Sequence, residues 1–221
     1  MGALSINLHG ETFELLPEKA VYRPLLKQLI FADIHLGKAV HFRKAGIPLP
    51  ANSSQTDIEK MKGLVEKHKP EQVIILGDLF HSDLNSEWEL FTGLLDCCAP
   101  IDFFLVKGNH DILKKEFYEI PHLHVVDELE EEHFLWTHHP VEKSVKLNFC
   151  GHIHPGIVIK GKGRQGLKLP CFYHCNNQFI IPAYGRLTGL YTLPLIKDCM
   201  AYVIGGDKVY DVSIKSRKKA V

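Results

Sequence analysis

Short apolar runs, each closed by a glycine, aspartate or asparagine, alternate along the first half of the chain with segments whose apolar residues recur every three or four positions. Residues 27–32 (KQLIFA), 73–76 (VIIL) and 101–106 (IDFFLV) read as buried strands, because continuous apolar runs of this length belong in a sheet covered on both faces. Residues 55–68 have helical spacing, with Ile58, Met61, Leu64 and Val65 on one face and Pro70 closing the segment. Residues 86–97 form a second predicted helix around Trp88, Leu90, Phe91, Leu94 and Leu95. The second half is richer in strands, at 125–126, 134–137, 146–150, 157–160, 169–173, 179–181, 200–204 and 209–214. The change from strand–helix–strand units to a strand-rich half predicts an α/β fold of two packed mixed sheets flanked by helices, a four-layer α/β/β/α sandwich. One domain over 1–221 is expected, with a frayed basic tail at 215–221.

The 221 residues are 45% hydrophobic, enough for one sizeable core. Lys plus Arg and Asp plus Glu each total 26, so bulk charge gives no attraction to nucleic acid. Contact with a polyanion then has to come from a local patch or from bound metal. No apolar run approaches the ~20 residues of a membrane span, and the first residues open no leader-like apolar run. The six cysteines show no framework spacing, so reduced thiols in a cytoplasmic setting are the expectation. Cys171 and Tyr173 read as the buried face of a core strand rather than part of a zinc site.

The 14 histidines change the picture. Five short blocks place metal-binding side chains in order: Asp33-Ile34-His35, Gly77-Asp78, Gly108-Asn109-His110-Asp111, Thr137-His138-His139 and Gly151-His152-Ile153-His154. Asp, Asn and His are the ligands that suit first-row divalent ions. Each block alone has a bland reading as a turn, a cap or a surface histidine; the ordered set is specific. Asp33, Asp78 and Asn109 each follow a predicted strand, at the sheet edge where ligands bind in α/β folds. Asp78 can bridge two ions, and ions about 3.5–4 Å apart can clamp a phosphoryl group and supply a hydroxide between them. Of the adjacent pair, His138 is preferred as a ligand because it comes first after its strand, which leaves His139 either supporting the ligands from behind or facing substrate. His110 is placed to stabilise charge and protonate a leaving oxygen. Two roles stand for Asp111, orienting the His110 ring or capping a helix. Lys38, His41, Arg43 and Lys44 follow the first block, and Lys160, Lys162, Arg164 and Lys168 follow the last. Both groups read either as solvated loops or as contacts to a nucleic acid backbone.

The ordered blocks resemble the calcineurin-like metallophosphoesterases. That resemblance implies one metal on Asp33, His35, His154 and the shared Asp78, a second on Asp78, Asn109, His138 and His152, and His110 as the catalytic histidine. The absence of a second acid three residues after Asp78, where His81 stands, separates the chain from the Ser/Thr phosphatases. Asp33-Ile34-His35-Leu36-Gly37 with Gly77-Asp78-Leu79-Phe80-His81 is similar to SbcD-type nucleases. The segments 37–48, 151–156, 169–172 and 181–189 resemble the DNA ligase-associated (PdeM-type) metallophosphoesterases over nearly the whole chain. By that resemblance the chain is a bacterial DNA nuclease of repair, using two divalent ions, Mn²⁺ first and Fe or Zn as alternatives. DNA is its substrate, and a ligase and a helicase are its partners. Apart from the resemblance, Lys38, Arg43, His81 and His139 are the candidate substrate contacts. A small-molecule phosphodiesterase and a metal-binding subunit of a repair complex are the competing readings.

Overall fold

The computed structural model describes residues 2–44, 46–47, 53–81, 87–161 and 165–214, without the side chains of residues 44, 53 and 54. The predicted tail at 215–221, Lys162 and Arg164, the Lys44 side chain, and Ser86 at the predicted start of the second helix lie outside that description.

The first sheet runs in chain order: β1 (Leu4–Leu8), β2 (Glu11–Leu15), β3 (Val21–Arg23), β4 (Gln28–Ala32), β5 (Gln72–Leu76), β6 (Asp102–Val106) and β7 (Leu123–Val126). Its first four strands are antiparallel and β4 to β7 are parallel. Successive side chains of a strand point to opposite faces, and here both faces are covered. Leu29, Phe31, Val73, Ile75, Phe103 and Leu105 face the helices α2 (Ser53–His68) and α3 (Glu87–Cys98), which contribute Ile58, Met61, Leu64, Val65, Trp88, Phe91, Leu94 and Leu95. Ile30, Ala32, Ile74, Leu76 and Val106 face the second sheet. Two short helices complete this half, α1 (Lys38–Lys44) and α4 (Lys115–Tyr118). Lys38, His41 and Arg43, expected in a loop, are therefore on a helix.

The second sheet contains β8 (Leu129–Glu130), β9 (Phe134–Trp136), β10 (Leu147–Cys150), β11 (Pro155–Lys160), β12 (Gly166–Cys175), β13 (Gln178–Ile180), β14 (Tyr191–Thr192), β15 (Cys199–Gly205) and β16 (Lys208–Asp211). Its order is β14-β11-β12-β13-β10-β9-β8, with β15 on β12 and β16 on β15. Aromatic rings fill the space between the sheets: Trp136 stacks on Phe149 at 4.4 Å, and Phe149 meets Phe13 at 5.2 Å. Offset ring contacts of this kind add to the burial of the rings themselves. Among the described residues the outer face of the second sheet is covered by Ile153, Leu193 and Leu195 rather than by a helix, so the described helices lie on one side. The α/β class and the two mixed sheets follow the sequence pattern.

The cysteine expectation is corrected. The β12–β15 register sets Cys175 directly opposite Cys199, and the two form a disulfide with Cα atoms 4.4 Å apart. The register, not the 24-residue spacing, creates the pair. Cys97, Cys98, Cys150 and Cys171 are free, and Cys171 and Tyr173 are buried core residues, as the strand pattern predicted.

Candidate metal centre

The candidate ligands converge at one edge of the two sheets. Asp33 and His35 follow β4, Asp78 follows β5, Asn109 follows β6, His138 follows β9, and His152 and His154 lie between β10 and β11. The backbone locks the first two loops together. Asp33 N–H donates to Gly77 O (3.1 Å), His35 N–H to Asp78 O (2.8 Å), and Leu36 N–H to Leu79 O (2.9 Å). Asp33, His35, Asp78, His152 and His154 all have positive φ, between 51° and 64°. Such strained non-glycine backbone clusters at functional sites, where the surrounding structure holds it in place.

Glycines let these loops approach closely. A Cβ on Gly108 would overlap the Asp78 amide nitrogen and Oδ1, and one on Gly77 would enter the His138 ring. A Cβ on Gly151 would come 2.5 Å from Asp33 Oδ2.

The ligand atoms fall into two groups around Asp78. In the first, His35 Nε2 lies 3.6 Å from Asp78 Oδ2 and 3.4 Å from His154 Nε2, which is 3.5 Å from Asp33 Oδ1. In the second, His138 Nε2 lies 3.5 Å from Asp78 Oδ1, 3.0 Å from Asn109 Oδ1 and 3.2 Å from His152 Nδ1. Asp33, His35, Asp78 and His138 are buried, His152 and His154 are half-buried, and Asn109 is exposed.

The hydrogen bonds test whether a cation fits. His138 Nδ1 faces the Leu76 carbonyl at 3.0 Å, and a carbonyl only accepts, so the proton sits on Nδ1. The Nε2 lone pair then points at the Asn109 and Asp78 oxygens, and lone pairs facing one another at these distances share a cation. Fixing the tautomer through the far nitrogen is how proteins orient metal-binding histidines. Burial pushes His35 down to about 2, with Lys38 and three neighbouring histidines lowering it further, so its ring is neutral and has a lone pair to offer. The donor set therefore fits divalent ions of the first transition row.

Residues beside the ligands hold and shape the site. Asp33 also accepts the His152 N–H, at 3.0 and 2.9 Å from its two oxygens. His110 N–H donates to Asp78 Oδ1 (2.9 Å), and its ring stacks on His81 at 4.9 Å. The buried Asp111 carboxylate takes neither of its two expected roles: it accepts N–H groups of Phe80 (3.2 Å) and Gly108 (2.9 Å), tying the loops after β5 and β6. Burial pushes Asp111 up to about 6 against the pull of those bonds. The Lys38 ammonium feels Asp78 and Asp33, while burial lowers its pKa. His139 joins the His138 and His152 side, its ring 4.1 Å from His152. Arg43 is half-buried, five residues beyond Lys38 on α1.

Sequence reasoning missed the role of Glu87, the buried first residue of α3, whose Oε2 accepts Gly37 N–H. An acid at the start of a helix has an ordinary capping explanation, so nothing in its position marked it.

A family model for calcineurin-like phosphoesterases matches residues 26–175. The chain belongs to this family. The structure is similar to the nuclease MPE of Pseudomonas putida, with 26% identity, a TM-score of 0.79, and coverage of 95% of this chain and 100% of that one. It is also similar to Yfce, a phosphoesterase from E. coli, with 14% identity, a TM-score of 0.46, and coverage of 85% and 99%. A protein of unknown function from Aquifex aeolicus shows 17% identity and a TM-score of 0.38, with coverage of 57% and 78%. No curated protein matches the chain in sequence. As a family member it is a metal-dependent phosphoester hydrolase with a His/Asp metal-binding cluster. No described helix is long and apolar enough to cross a membrane.

Proposed function

We propose that the chain is a two-metal phosphodiesterase that cleaves DNA in repair. The observation that carries the two-metal reading is the division of Asp78, whose Oδ2 faces the His35 group and whose Oδ1 faces the His138 group. Asp33, His35, His154 and Asp78 would hold one ion, and Asp78, Asn109, His138 and His152 the other. Carboxylate, amide and imidazole donors favour Mn²⁺, with iron and zinc as alternatives. Bound there, the ions would supply Lewis acidity toward the phosphate and an activated water. The chain's own residues do the rest. His110 holds a proton for the leaving oxygen, kept in place by its backbone bond to Asp78 and its stacking on His81. The Lys38 ammonium, His81 and His139 flank the phosphate. The nuclease reading draws support from the 26% identity and near-complete overlap with the Pseudomonas putida enzyme. Association with a DNA ligase and a helicase belongs to the same proposal and rests on resemblance of sequence.

The test is Mn²⁺-dependent hydrolysis of bis(p-nitrophenyl) phosphate beside p-nitrophenyl phosphate, with Asp78→Asn as control. Diester hydrolysis that disappears in the variant supports the proposal and leads to DNA substrates. Hydrolysis of the monoester alone would move the chain to the phosphatases.

A further inference from the structure

A cavity of about 670 Å³ lies on the other side of the Tyr184–Arg186 segment from the metal ligands. That segment separates the two spaces: Tyr184 N–H and Gly185 N–H donate to Ala32 O (2.8 Å) and Asp33 O (3.2 Å), while Tyr184 and Arg186 line the cavity. Its volume is in the range of small-molecule sites. One long wall is α2, with Lys60 near one end and Lys67 and His68 near the other. Seven residues of helix separate Lys60 from Lys67, about 10 Å along the axis.

The two ends differ in chemistry. At the far end two buried side-chain atoms, Glu18 Oε2 and His68 Nε2, have no hydrogen-bond partner. Leaving such groups unmatched costs stability, so both call for a complementary ligand atom. Burial, and then Lys67, lowers the His68 pKa, while Glu14 and Glu18 are close enough to pull it the other way. At the near end Lys19 and Lys60 both line the cavity, and burial lowers the Lys19 pKa against the pull of Asp57, with Lys60 and Arg186 lowering it further. The nearby Asp57 is already engaged by Arg186, Oδ1 to Nε at 2.8 Å and Oδ2 to the backbone N–H at 3.2 Å. An anion at this end would meet the Lys19 and Lys60 ammoniums on one cavity wall, and an N–H donor would satisfy Glu18.

We propose that this cavity binds a nucleotide whose base carries an exocyclic amine, with the amine on Glu18 and the phosphate between Lys19 and Lys60. A carboxylate accepts from the amine of cytosine or adenine and repels the carbonyl that thymine carries instead.

Titration calorimetry of the metal-loaded protein with dCMP and dTMP tests this. The wild type is expected to bind dCMP about tenfold more tightly than dTMP. Glu18→Gln, whose amide can also donate, should erase most of that difference, and Lys60→Glu should weaken both ligands. Lys60→Glu leaves the metal ligands intact, so phosphate binding at the metals alone would show as no change in that variant. Equal wild-type affinity for the two nucleotides, or unchanged binding in Lys60→Glu, overturns the proposal. The wild-type comparison decides it even where a variant fails to fold.

Discussion

His138 shows how much of the site is set by single atoms. Its Nδ1–H is given to the Leu76 carbonyl, and its ring is packed against the space that Gly77 leaves by lacking a Cβ. Gly108 has the same role for Asp78, and there the obstructing atoms include backbone that cannot rotate away. Gly108→Ala should therefore displace Asp78, lower metal content and destabilise the fold by about 1–3 kcal/mol, read by metal analysis and urea denaturation. His110 differs, because its side chain is outside both ligand groups. His110→Ala should keep its metal while turnover of bis(p-nitrophenyl) phosphate falls roughly 10²–10⁴-fold. Near-normal turnover would remove His110 from the proton-transfer role. The metal-binding residue types could be read from the sequence because they fall in short loops that follow apolar strands. The tautomer of His138, the bridging by Asp111 and the contact of Glu87 could not, since each depends on a partner 30 or more residues away.

At the scale of elements, hydrophobic period settled most of the architecture. β4, β5 and β6 are buried on both faces and stood out as unbroken apolar runs, and α2 and α3 present the apolar stripe their spacing predicted. The N-terminal strands β1 to β3 were missed, although Leu4, Ile6 and Leu8 alternate with polar residues. Charged neighbours and a partly exposed edge weakened the signal. Seven-residue α1 was too short for a periodic stripe to declare itself. The β11–β12 ribbon runs on from the last metal block, pairing Ile159 with Leu167 and Lys160 with Gly166 beyond the covered part of the sheet. Lys168 is turned back to donate to the Leu190 carbonyl, whereas Lys160 is exposed. If the ribbon follows a nucleic acid backbone, Lys160→Glu should weaken DNA binding and lower the slope of log K against log salt by about 1. Hydrolysis of the small diester should be unchanged. An unaltered slope would make Lys160 an ordinary solvated lysine.

At the scale of the molecule, the site exists because two sheets bring their strand ends together, and Arg23 helps to hold them so. It is 2% exposed on β3 of the first sheet, pairs with Glu11 at 2.6 Å and with Glu131, beside β9 of the second sheet, at 2.8 Å. Its guanidinium also lies over the rings of Phe13, Phe134 and Trp136. Arg23→Ala would leave two partly buried carboxylates without their cation and should cost about 3–5 kcal/mol in urea denaturation. A cost near zero would show that the aromatic layer alone holds the sheets. The Cys175–Cys199 pair belongs to this scale too, since a register between strands, not a spacing, makes it. The central claim is that Asp78 is shared between two ions, and anomalous diffraction from Mn²⁺-soaked crystals tests it most directly. Two anomalous peaks are expected, about 3.5–4 Å apart on either side of the Asp78 carboxylate. A single peak, or two that do not both contact Asp78, would contradict the account.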